Sequence, residues 1–125
     1  IGPFPNHRFY HNWLYNWFGY SPKQRTSIKI HNYDTWSMDS TLAPIILPML
    51  VQLKETKHGH PADLTEQEWD EILDEMIWAF EQKCRDDWME DYDYNKWDSE
   101  GVKAHQERMT NGFRLFGTHY ENLWD

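Results

Sequence analysis

Glu71, Asp74 and Glu75 stand at i, i+3 and i+4, and Asp70 with Asp74 adds an i, i+4 pair. On a helix this spacing gathers the carboxylates on one patch, where like charges repel by a few tenths of a kcal/mol. Hard oxygen donors so placed can take Mg²⁺ or Mn²⁺, which offsets the repulsion. The same spacing also fits a solvated face opposite a core stripe, or a patch that meets another protein. His58-Gly59-His60 brings two imidazoles close together, the donor type that transition metals prefer, with Lys57 and Asp63 alongside to grip a phosphate or a cation. An inert Gly/Pro loop has the same composition. Cys84 lies among Glu81, Asp86 and Asp87, whose charges oppose thiolate formation and so disfavour a nucleophile. No Gly-rich phosphate loop and no nucleophile elbow occurs.

A second constellation is aromatic and basic. Tyr10, Trp13, Trp17, Phe18, Tyr33 and Trp36 fall near Arg8, Lys23, Arg25 and Lys29. Stacking faces plus cations suit a nucleobase and its phosphate. They equally suit a core or a protein interface, where Trp, Tyr and Arg are enriched. The candidate ligand set is therefore Arg8, Trp13, Trp17, Arg25, Tyr33 and Trp36, with Lys57, His58 and His60 from the loop. The candidate metal set is Glu71, Asp74 and Glu75. Catalytic residues and a resident cofactor are not expected; Mg²⁺ or Mn²⁺ is the open exception.

Elements must position these groups. Pro3 and Pro5 exclude a helix interior at the start, which fits an edge strand, and Asn6 can cap a short helix to Phe18 with Tyr10, Trp13, Leu14 and Trp17 on one face. Thr26–Tyr33 alternates, with Ile28 and Ile30 opposite Lys29 and His31, and predicts a half-buried strand. Ser37 or Asp39 then caps a helix from Ser40 to about Lys57, striped by Leu42, Ile45, Ile46, Met49, Leu50 and Leu53 and kinked at Pro48. Thr65 and Glu68 form a capping box. The helix behind them is striped by Trp69, Ile72, Leu73, Met76, Ile77 and Phe80, to about Lys83. The acidic run Asp86–Asp93 reads as irregular. A last helix, capped by Asp98 or Ser99, carries Val102, Met109, Phe113, Phe116, Tyr120 and Leu123. Gly112 and Gly117 weaken it but allow close approach. His105 and His119 lie too far apart to share a ligand, and each is expected as a partly buried polar contact. The expected fold class is mainly α (α+β): three longer helices, one short helix and a small N-terminal β element. It is read as a single domain over 1–125, with an aromatic-rich segment 1–36 and a helical core 37–125.

The 125 residues suffice for one such domain. Eight Trp and 17% aromatics fill a core that the mean hydropathy of -0.92 would not suggest. The net charge of -9 is uneven: residues 1–62 hold six Lys/Arg against three Asp/Glu, and residues 63–93 hold two against thirteen. That balance argues against general nucleic-acid binding, which needs cations to displace counterions. No run approaches the ~20 apolar residues of a membrane helix, and no leader pattern is visible. The chain opens on Ile, so its first residues are expected to be missing. One cysteine permits no internal disulfide and fits a soluble, intracellular protein.

Three blocks carry a resemblance. Asp34-Thr35-Trp36-Ser37-Met38-Asp39-Ser40-Thr41-Leu42-Ala43-Pro44-Ile45-Ile46-Leu47-Pro48-Met49-Leu50 continues to Lys57-His58-Gly59. Leu73-Asp74-Glu75-Met76-Ile77-Trp78-Ala79-Phe80-Glu81 and Asn111-Gly112-Phe113-Arg114-Leu115-Phe116-Gly117 follow in order. Together they resemble a family of small acidic proteins encoded by tailed bacteriophages, including many cyanophages. The resemblance brings no activity. It implies a setting: an accessory protein in the cytoplasm of an infected bacterium. The expected function is binding without catalysis, to a host protein or a nucleotide-type signal, with a homo-oligomer left open and no membrane partner. The alternatives are a Mg/Mn-dependent helical nucleotide hydrolase, since Asp74-Glu75 before an apolar run is similar to the acidic pairs of helical pyrophosphatases, and a virion or assembly component. For the hydrolase, Asp34, Asp39 or Glu107 must complete the metal site, because the preceding helix offers only Glu55.

Overall fold

The computed structural model describes residues 27–85, 87–92 and 99–124. The chain divides into two compact units, 1–35 and 36–125. The described residues are mainly helical, and among them no helix is long and apolar enough to cross a membrane.

In the first unit, residues 27–31 are irregular and α1, Asn32–Trp36, begins directly after them. The small β element predicted over Thr26–Tyr33 is thus not supported by its described part. Ile28 and Ile30, its intended buried face, are 67% and 70% exposed. A strand must hand its N–H and C=O groups to a neighbouring strand, and no strand pairing occurs among the described residues. A local closure takes its place. The Asp34 carboxylate accepts the His31 N–H at 2.9 Å, while the Asp34 N–H donates to the His31 carbonyl at 3.0 Å. This side-chain bond favours a helical turn where the alternation called for extension. The edge strand near Pro3 and the helix over 6–18 lie outside the described residues.

The second unit is built from α2 (Met38–Thr56), α3 (Glu66–Arg85) and α4 (Ser99–Thr118). Short 3₁₀ turns cover Trp88–Asp91 and Tyr120–Asn122. Ser37 precedes α2 but makes no side-chain cap bond, and Asp39 reaches Lys83 instead. Pro44 and Pro48 sit inside α2 on its exposed side, where water can serve the carbonyls they leave without a donor. At the start of α3, Thr65 Oγ1 accepts the Glu68 N–H at 3.1 Å and its hydroxyl donates to Glu68 Oε1 at 3.1 Å. That is half of the expected capping box: the Glu68 N–H is capped, but the Glu68 carboxylate takes the Thr65 hydroxyl and not its backbone N–H.

α3 is the middle helix and has two working faces. Trp69, Leu73, Met76 and Phe80 are buried on one, with Ala43 and Leu50 of α2 in the same cluster. Fully burying Leu73 or Met76 contributes roughly 1.5–3 kcal/mol each. Glu75, Ala79 and Gln82, at i, i+4 and i+7, form the other face, where α4 approaches most closely, and Phe113 and Phe116 of α4 reach round to the first cluster. The contacts Asp39–Lys83 and Lys54–Asp74 run α2 antiparallel to α3. Ala79–Gly112 and Gln82–His105 run α3 antiparallel to α4. The substantial packing is α2 on α3 and α3 on α4; the outer pair, α2 and α4, has no comparable contact.

That arrangement explains a difference on α2. Of its predicted stripe, Leu50 is buried and Ile46 and Leu53 pack on the core, joined by Ala43 and Leu47. Leu42, Ile45 and Met49 stay exposed. One neighbouring helix covers a narrower arc than α2 offers. Tyr120, also assigned to a stripe, lies past the end of α4 in its 3₁₀ turn, exposed, with Phe116 edge-on at 5.7 Å.

Gly112 is where α4 approaches most closely. A Cβ there would fall 2.4 Å from Ala79 Cβ and 2.8 Å from the Glu75 carbonyl oxygen. Gly117 has nothing within 4 Å. Gly112→Ala is expected to destabilise by about 1–3 kcal/mol through overpacking, while Gly117→Ala gains up to about 1 kcal/mol in helix propensity. Urea unfolding of both variants checks this pair of opposite signs.

Candidate functional site

The acidic helix does not present its carboxylates together. Asp74 accepts the Lys54 ammonium from α2. Glu75 turns the other way and takes Arg108 of α4 in a two-pronged pair, at 2.9 Å from Nη2 and 3.2 Å from Nε. Arg108 also lies over the Trp78 ring at 3.9 Å. Glu71 is exposed. Among the described residues, no group of three or more His, Cys, Asp or Glu is placed to hold a metal ion.

The loop residues are also spoken for. Lys57 packs its stem and sets its ammonium 2.9 Å from Asp70 and 3.7 Å from Glu66. The hydrogen bond to Asp70 leads in raising its pKa above the ordinary lysine value. Lys57 thereby ties the end of α2 to the start of α3. His60 and His58 are exposed, with His60 Nδ1 at 2.9 Å from the Pro61 carbonyl. Tyr33 and Trp36 are exposed, and Arg8, Trp13, Trp17 and Arg25 lie outside the described residues. Cys84 is a free, exposed thiol.

What the fold does assemble is a cleft of about 430 Å³ between the outer helices. α2 supplies Asp39, Leu42 and Ile46; α3 supplies Phe80, Gln82 and Lys83; α4 supplies Gln106, Met109 and Phe113; Trp88 of the 3₁₀ turn completes the lining. The cleft exists because α3 holds α2 and α4 apart. Its floor is apolar, and Phe80 meets Phe113 edge-on at 5.2 Å. At its edge, Lys83 Nζ stands 2.6 Å from Asp39. The hydrogen bond from Lys83, helped by the Ser40 N–H, holds the Asp39 carboxyl below its ordinary pKa.

Behind the floor runs a chain of polar groups. The Tyr92 hydroxyl lies 2.8 Å from His105 Nδ1, and His105 Nε2 lies 3.1 Å from Gln82 Oε1. The imidazole is stacked on Trp88 with centroids 4.3 Å apart and planes 13° apart, and Trp78 flanks it at 4.9 Å. His119 is likewise a packed contact, edge-on to Trp69 at 5.5 Å. His105 is thus the partly buried polar contact expected of it, whereas the partly buried His119 makes a ring contact.

Gln82, Trp88 and Lys83 were not singled out from the sequence. One signal was present: Gln82 follows Ala79 by one turn, and His105 precedes Gly112 by two turns. The small residues that let α3 and α4 touch therefore also face Gln82 toward His105. No known family model, curated protein or solved structure matches this chain.

The lowered Asp39 pKa sets a pH dependence. A carboxyl held below its unfolded value of about 3.9 stabilises the fold above that pH and loses the contribution as pH falls through the folded pKa. The stability difference between wild type and Asp39→Asn should therefore be constant above about pH 5 and shrink progressively as pH falls below about 4. Denaturant titrations across that range check it.

Proposed function

We propose that this chain is a binding protein that captures a small ligand without transforming it, and that the cleft between α2 and α4 is its seat. The observation that carries this reading is the cleft itself: concave, about 430 Å³, apolar in its floor, with Gln82, Gln106 and the Asp39–Lys83 pair converging on it. Small-molecule sites have this size and this mixture of apolar wall and few polar groups. The proposed setting, the cytoplasm of a phage-infected bacterium, rests on the sequence resemblance. In that setting the ligand is a nucleotide-type signal of the host, and capture lowers its free concentration.

The metal-dependent hydrolase is the weaker reading. It needs Glu71, Asp74 and Glu75 to converge, and Asp74 and Glu75 instead answer Lys54 of α2 and Arg108 of α4. A host-protein partner, or a second copy of the chain, has one observation in its favour. Met38, Leu42, Ile45 and Met49 lie exposed at spacings of four, three and four along α2, the pattern of a helix seam. A virion or assembly role predicts that the chain is found in purified particles.

The deciding experiment incubates the purified chain with linear and cyclic nucleotides and with nucleosides, with and without Mg²⁺ or Mn²⁺. Each free compound is quantified before and after heat denaturation. The expected result is one compound that leaves the free pool and returns unchanged on heating. Conversion to a product overturns the non-catalytic reading. An untouched panel turns the argument to the α2 seam, where light scattering and capture of host proteins follow.

A further inference from the structure

Resting on that reading, we infer that the cleft takes a neutral planar heteroaromatic ring, a nucleobase or its nucleoside, bound by its hydrogen-bonding edge to Gln82 and not by a phosphate. Gln82 is only 9% exposed, yet it lines the cleft. Its carboxamide is oriented from behind. With a neutral imidazole, the Tyr92 hydroxyl donates to His105 Nδ1, and His105 Nε2–H donates to Gln82 Oε1. The stack on Trp88 and the flank of Trp78 fix the ring plane and with it the direction of that bond. The NH₂ end of the carboxamide is then turned away from His105 and has no hydrogen-bond partner among the described residues. Water in the cleft can serve that donor, and a ligand that displaces the water must supply an acceptor in its place. The group that answers it from the cleft is an acceptor, a carbonyl or a ring nitrogen.

The surroundings choose between ligand shapes. Phe80, Trp88 and Phe113 offer ring surfaces, and Met109 adds a soft thioether, which together favour a flat ring over a branched aliphatic group. His105 covers one face of Trp88, so that face is closed to a ligand. At the edge of the site the charge of Lys83 is already answered by Asp39. A phosphate would have to displace that carboxylate, on a chain whose residues 63–93 are strongly acidic. A ribose hydroxyl, in contrast, can donate to Asp39 as it stands. Ring edge on Gln82 and hydroxyl on Asp39 is the arrangement that answers both groups without displacing Lys83.

The test is calorimetric titration of the full chain with adenosine, guanosine, cytidine, uridine and their 5′-monophosphates. At least one nucleoside should bind, and its monophosphate should bind no more tightly. Gln82→Met should weaken that nucleoside about tenfold or more, the equivalent of the roughly 1.4 kcal/mol a hydrogen bond of this kind supplies. Because Gln82 is buried, its variant is checked by circular dichroism, and a second measurement uses the wild-type chain alone. The Gln82 side-chain NH₂ resonances should shift on saturation with the nucleoside. Monophosphates that bind more than tenfold tighter than nucleosides overturn the inference, as does a bound nucleoside that leaves those resonances unmoved. If no nucleoside binds but another small aromatic does, the inference fails and the capture reading stands. If nothing small binds in the cleft, both fail.

Discussion

Where α4 meets α3, Gly112 lies against Ala79 and the Glu75 carbonyl with no room for a side chain. This contact sets the depth at which α4 rests. His105, Met109, Gly112 and Phe116 share one face at i, i+4, i+7 and i+11, so seating Gly112 seats the others. Met109 becomes buried, Phe116 meets Phe80 at 5.2 Å, and His105 comes within reach of Gln82. Arg108, one position aside, clasps Glu75 and covers Trp78. A bulkier residue at 112 would lift the whole face and open the polar chain behind the cleft.

The acidity of α3 is handled by distributing its partners. Lys54 and Lys57 approach from α2, Arg108 from α4, and Lys83 of α3 itself reaches back to Asp39. Exposed pairs of this kind are individually worth little, at most about 1 kcal/mol. Their value here is positional, because each joins two helices at a defined register. They also engage Lys54, Lys57, Lys83 and Arg108 with carboxylates of the same unit.

Helix positions were legible in the sequence because they follow from local patterns. The stripe from Trp69 to Phe80 and the close approach at Gly112 appear as read, and of the capping box the Thr65 half forms, with Glu68 taking the Thr65 hydroxyl in place of its backbone N–H. Three features needed information that no local pattern holds. The alternation at Ile28 and Ile30 lost to a bond between Asp34 and the His31 backbone. The inward arc of α2 depended on how many neighbours it has, which spacing along α2 cannot state. The carboxylates at 71, 74 and 75 share a patch on an isolated helix, but cations on two different neighbours draw Asp74 and Glu75 apart. The cleft is a product of tertiary arrangement, so Gln82 and Lys83 had no signature beyond their register with Ala79 and Asp39.

Helices that pack only on their neighbours in the chain have kinetic consequences. Among the described residues, the major helix contacts join α2 to α3 and α3 to α4, each helix meeting its neighbour in the chain. Loop-closure entropy is correspondingly small, and such low-contact-order topologies fold at the fast end of the range for small domains. On the ribosome, α2 and α3 can pair as soon as Arg85 has cleared the exit tunnel, burying Leu50, Leu73 and Met76 without waiting for the rest. The cleft draws its walls from both outer helices, so it comes into being only when the last one docks.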